Sequence, residues 1–93
     1  GTDLLLTGHE HNYERFAPMA ASGAADRAGI RQFVVGTGGQ TMRSFASTAA
    51  GSEVRLNRSS GVLRMRLAAG DYTWEFLPTT PGSDTDYGTD TCH

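Results

Sequence analysis

The sequence predicts a chain built mostly of β-strands and loops, on three observations. A leucine run, Leu4-Leu5-Leu6-Thr7, stops at Gly8. A run rich in β-branched and aromatic residues, 30–35, stops at Gly36, Gly38 and Gly39. Two runs of alternating polarity, 62–67 and 72–77, flank a short turn that contains Gly70.

Residues 3–7 read as a short buried strand, because three successive leucines suit a strand covered on both faces. Gly8 breaks it, since glycine takes backbone angles that side chains with a Cβ avoid. His9, Glu10 and His11 follow at once. On an extended path, period 2 puts both imidazoles on one side and Glu10 on the other. Their Cα atoms would lie about 6–7 Å apart, two residues of strand rise. Such a pair can serve two neighbouring metals, one each, or grip a single metal where the loop curls. The carboxyl end of a strand is also where open α/β sheets place their ligands.

The motif Gly8-His9-x-His11, continued by Tyr13-Glu14-Arg15, resembles the last metal-binding motif of the calcineurin-like metallophosphoesterases, nearest the purple acid phosphatase branch. The resemblance extends over nearly the whole chain. It takes in Phe33-Val34-Val35-Gly36-Thr37-Gly38-Gly39, then 61–67, and then Tyr72-Thr73-Trp74-Glu75-Phe76. It implies an α/β fold, with residues 1–78 as the C-terminal part of a catalytic β-sandwich flanked by helices. It implies hydrolysis of phosphate esters at a binuclear centre of divalent or trivalent ions (Fe, Zn or Mn), with His9 and His11 on different metals. Each ligating imidazole needs a partner on its other nitrogen, and Glu10, Asn12 and Tyr13 are the neighbours that can supply one. Glu14 and Arg15 read as an ion pair that fixes the loop. The Gly-rich turn after residue 35 is implied to lie near the metals in a supporting role.

The other ligands of that family come from earlier motifs: an Asp-x-His, a Gly-Asp-x-x-Asp, a Gly-Asn-His followed by an acid, and a further His. None is present. A metal pair that activates water needs more than two imidazoles, so the chain is expected to carry one edge of an active site and to be inactive alone. Its expected partners are the missing N-terminal part of the domain and a phosphate-ester substrate. The alternative is a non-catalytic β-rich module, or a truncated gene product, that associates through exposed strand edges.

Further along, residues 20–29 are small and polar, without helical stripe or alternation, and read as a surface loop. Residues 30–36 form a strand. Its Gly-rich end reads as a tight turn where another backbone approaches closely; a phosphate cradle would require a helix to open there, and 40–44 give none. Residues 45–51 are a small-residue linker, and 53–57 a short strand or irregular edge. Runs 62–67 and 72–77 form a β-hairpin, with Tyr72, Trp74 and Phe76 as core and Arg64 or Arg66 facing Glu75. Residues 79–93 are rich in Thr, Gly, Ser and Asp and read as a flexible tail; Asp84, Asp86 and Asp90 lack the fixed positions of a calcium loop.

Composition narrows the function. All eight positive charges are arginine, the net charge is −2, and no basic cluster exists, so nucleic acid is not an implied partner. No apolar run approaches the ~18 residues of a membrane span. Cys92 is the single cysteine and forms no internal disulfide. Within the chain it reads as an inert thiol; bridged to a cysteine elsewhere, it would place the parent protein in an oxidising, extracellular setting.

Overall fold

Among the described residues seven strands follow one another: β1 (Leu4–Thr7), β2 (Tyr13–Phe16), β3 (Arg31–Val35), β4 (Ser52–Leu56), β5 (Gly61–Leu67), β6 (Asp71–Pro78) and β7 (Tyr87–Thr91). The computed structural model describes residues 2–93, and among them there is no helix, hence none long and apolar enough to cross a membrane. The strands form two sheets, of order β1-β3-β2-β4 and β5-β6-β7. The β-rich expectation therefore holds at the level of strands and sheets. The helices of an α/β domain have no counterpart among the described residues.

The first sheet is mixed. β1 runs parallel to β3, Leu4 opposite Arg31 and Thr7 opposite Val34, while β2 is antiparallel to both β3 and β4. Two neighbouring parallel strands need a long connection. Here it carries the His9–Asn12 bend, β2 and the exposed 21–28 loop. The second sheet is an antiparallel meander with the expected hairpin at its start, Met65 opposite Trp74 and Arg64 opposite Glu75.

The sheets face each other through aromatics. Period 2 turns Tyr72, Trp74 and Phe76 to one side of β6, and all three are buried against Tyr13 and Phe33 of the first sheet. Tyr13 stacks on Phe76 with centroids 4.7 Å apart, and Phe33 meets Trp74 edge-on at 5.4 Å. Truncating such rings typically costs about 3–5 kcal/mol. Thr37 locks the layers at one end: its hydroxyl donates to the Gly61 carbonyl at 2.8 Å, and the Gly61 N–H donates to the Thr37 carbonyl at 2.9 Å.

Two expectations are corrected. β1 is not covered on both faces, for Leu5 and Leu6 are 48% and 57% exposed. It is an edge strand with β3 on one side alone, and only Leu4 reaches the core cluster. Residues 79–93 are not a loose tail either. β7 pairs with β6 from Asp71–Thr91 to Glu75–Tyr87, and Asp86 is buried. Low apolar content did not prevent ordering because backbone pairing and two carboxylates do the anchoring.

Those carboxylates meet arginines from the opposite sheet. Arg15 grips Asp86 at two points, Nε to Oδ2 at 2.8 Å and Nη2 to Oδ1 at 3.1 Å. Arg31 donates to Asp90 at 2.9 Å, to the Phe16 carbonyl at 2.9 Å and to Glu53 at 2.8 Å. Glu53 also pairs with Arg15. The β2–β4 register slips between Arg15 and Phe16, and a bulge of that kind re-aims side chains. Both guanidiniums lie over the Trp74 ring, 5.1 and 4.9 Å from its centroid, a favourable placement against the electron-rich face. Arg15 thus pairs with distant acids and not with its neighbour Glu14, which instead accepts from the Ser52 hydroxyl at 2.5 Å.

Candidate functional site

β1 ends at Thr7, and the chain does not continue extended through the histidines. Residues 9–12 form a bend, with His9 at φ 77°, in the left-handed region. A side chain there costs roughly 1–2 kcal/mol of backbone strain. The alternation that would put both imidazoles on one side therefore does not apply; the curled alternative describes the backbone. The bend is closed by the Asn12 N–H donating to the Glu10 carbonyl at 2.8 Å and stitched to the end of β3 by the Gly36 N–H donating to the Asn12 carbonyl at 3.0 Å.

Gly36 is what allows the bend to sit there. A Cβ on Gly36 would fall 1.8 Å from the Glu10 carbonyl oxygen, well inside contact distance. The reading of the Gly-rich strand end as a close backbone approach is met at this residue.

His9 stands free, its side chain 87% exposed, with Glu10 Oε1 3.7 Å from Nδ1. His11 is held. Its Nδ1 lies 3.1 Å from the Thr41 carbonyl oxygen, and its own carbonyl accepts from the Arg43 N–H at 2.9 Å. A carbonyl can only accept, so this bond requires the proton on Nδ1 and leaves the Nε2 lone pair of the neutral ring free, the arrangement typical of a metal-ligating imidazole. Thr41 was not visible as a partner in the sequence, because any residue offers a carbonyl.

The three neighbours expected to support the imidazoles divide. Glu10 lies beside His9. Tyr13 points away, into the core, where its hydroxyl donates to Asp86 Oδ2 at 2.6 Å; burial first, and then this bond, push its pKa far above the ordinary tyrosine value. Asn12 is 5% exposed, and its Oδ1 is a buried acceptor without a donor among the described residues.

No family model, curated protein or solved structure matches this chain.

Geometry alone therefore tests the fit to metal. Among the described residues no group of three or more His, Cys, Asp or Glu side chains could hold an ion. Two imidazoles on a strained bend, one with its tautomer fixed, do not by themselves make a metal-holding group. A surface hollow of about 1010 Å³ lies elsewhere, on the outer face of the second sheet over Arg64, Thr73, Glu75 and Tyr87, and is lined by neither histidine. A smaller open hollow begins at Gly8 and runs between the sheets past Leu6, Val35, Val62, Leu63 and Met65.

Proposed function

We propose that the chain is the C-terminal portion of a metal-dependent phosphoesterase of the purple acid phosphatase type, and that it contributes His9 and His11 to a binuclear centre completed by other segments of an α/β domain. The observation that carries this reading is the bend at the end of β1, where His11 presents Nε2 with Nδ1 committed to Thr41. Three features support incompleteness: two imidazoles with no third ligand among the described residues, Asn12 Oδ1 without a donor among them, and apolar Leu5, Leu6 and Val62 exposed along strands that edge their sheets.

In this reading His9 and His11 bind as neutral imidazoles. Metals of this kind, when bound, lower the pKa of water and neutralise charge on phosphoryl oxygens. The chain's own residues orient the ligands: Gly36 admits the bend, Thr41 fixes the His11 ring, and Glu10 lies beside His9. The test is metal content and rate in the complete protein. His9→Ala and His11→Ala should each lose metal and turnover of p-nitrophenyl phosphate; full metal content in both variants would remove the assignment. The isolated 93-residue chain should show no turnover, and metal-dependent cleavage by it would contradict the proposal.

A second reading rests on the same exposed edges. An open strand with apolar side chains pairs readily with another strand, so the chain would act as a β-rich module that self-associates. Size-exclusion of the pure chain tests these edges, since a sharp monomer with cooperative unfolding removes the self-association and counts against the fragment reading as well.

A further inference from the structure

We infer that β1 is a homodimerisation edge: two copies of the chain pair their β1 strands antiparallel across a two-fold axis at Leu5. This rests on the second reading above, self-association through strand edges, and names the strand and its register. Among the described residues the sheets end in β1 and β4, and in β5 and β7. Charged side chains on an edge strand discourage pairing with another chain. β4 carries Glu53 and Arg55, β5 carries Arg64 and Arg66, and β7 carries Asp90. β1, Leu4-Leu5-Leu6-Thr7, carries no charge, and its Leu5 and Leu6 are exposed.

The backbone sets the register. The Arg31 N–H donates to the Asp3 carbonyl at 3.0 Å, and Leu4 stands opposite Arg31. Successive residues of a strand turn their N–H and C=O to opposite sides, so Asp3, Leu5 and Thr7 address β3 while Leu4 and Leu6 address the open side. With the axis at Leu5, Leu4 of each copy lies opposite Leu6 of the other, and their outward groups exchange N–H···O bonds. Leu5 then meets Leu5 in the closer, non-hydrogen-bonded position. An axis at Leu6 would carry Leu4 opposite Gly8, past the end of the strand.

The side chains agree with that register. Leu4 packs on the core cluster and Leu6 lines the hollow between the sheets, so both occupy the inner face and Leu5 the outer. A two-fold axis normal to the sheet keeps inner face with inner face. Leucine therefore meets leucine on both, and no like charges are opposed. The strand complements itself, as a two-fold interface requires, and the occupant it fits is a second copy. Four residues make a small contact, so the dimer should be weak and concentration-dependent.

The experiment is sedimentation of the pure 93-residue chain across about 1 μM to 1 mM, with amide exchange at both ends of that range. The Leu4 and Leu6 amides should exchange slowly only where the dimer is populated, and those of Leu5 and Thr7 at both. Leu5→Lys, which opposes two charges at the axis, should weaken the dimer about 10-fold or more, and Val62→Lys on β5 should not. In a Cys92→Ser background, Leu5→Cys should oxidise to a disulfide-linked dimer, since its Cα atoms lie about 4.5 Å apart across the axis. Thr7→Cys should not, at about 13 Å. A dimer that survives Leu5→Lys and dissociates in Val62→Lys would overturn the assignment to β1 and leave self-association intact. A chain that stays monomeric throughout removes both. Should Leu5→Lys unfold, the two cysteine variants decide, and equal cross-linking of both would count against the register.

Discussion

Arg15 and Asp86, separated by 71 positions, form a two-point ion pair between the sheets, with Nε and Nη2 of the guanidinium on separate carboxylate oxygens. Tyr13 and Trp74 also donate to Asp86 Oδ2, at 2.6 and 3.2 Å. A carboxylate from the glycine- and threonine-rich end of the chain is thereby the shared acceptor for three core residues.

Removing that carboxylate should leave the Tyr13 hydroxyl and the Trp74 indole N–H without their partner and the part-buried Arg15 guanidinium with Glu53 alone. Asp86→Ala is expected to lower the stability of the chain by about 3–5 kcal/mol. The exposed neighbour variant Asp84→Ala should stay within about 0.5 kcal/mol of wild type. Urea unfolding of both proteins checks this, and equal midpoints would show that Asp86 is not an anchor.

A methyl group at Gly36 must displace the Glu10 carbonyl. Gly36→Ala should cost about 1–3 kcal/mol or more, as overpacking against backbone does. It should also break the Gly36–Asn12 bond that stitches the bend to β3. Amide exchange at Gly36 and Asn12 reports the local opening, and unaltered protection in the variant would argue against this close approach.

His9 pays for its left-handed backbone in strain that glycine does not incur. Relief of roughly 1–2 kcal/mol is partly offset by the greater freedom of unfolded glycine, about 0.4–1 kcal/mol. His9→Gly should therefore melt at or slightly above the wild-type temperature. His9→Val, with a β-branched side chain at positive φ, should melt below it. A reversed order in thermal unfolding of the isolated chain would show that the bend relaxes.

Stability should fall at both extremes of pH. Tyr13 holds its proton more tightly when folded, because burial and the Asp86 bond disfavour the phenolate. Its contribution is complete below the unfolded value of 10.0. Above that pH it is lost at up to about 1.4 kcal/mol per pH unit. Tyr72 shifts the same way through burial. On the acid side, the hydrogen bond from Arg31 lowers Asp90 below 3.8. Its contribution is complete above that pH and disappears as pH falls through the folded value. Denaturation midpoints measured across the pH range should be level between these limits, and a midpoint still rising above pH 10 would contradict the burial of Tyr13.

The sequence was a good guide wherever neighbouring residues carry the information. Period-2 alternation placed Tyr72, Trp74 and Phe76 in the core, and the Gly-containing turn set the β5–β6 hairpin with Arg64 opposite Glu75. β1 and β3 followed from their apolar runs, and Gly36 from the need for a close approach. The short β2 was concealed within the motif Tyr13-Glu14-Arg15, whose charges read as a loop, because partners in β3 and β4 impose its extended form.

By itself, then, the sequence determined the main strands, the aromatic core face and the juxtaposition of His9 and His11 after a strand, all of which depend on spacing along the chain. Only the tertiary structure decided that Arg15 pairs with Asp86 and not with Glu14, that Asp90 and β7 are part of the sandwich, and that Thr41 and Arg43 come to His11. The physical reason is that carboxylates, guanidiniums and carbonyls take whichever partner the fold brings within hydrogen-bond reach, and that reach is set by how two sheets stack, which no local pattern records.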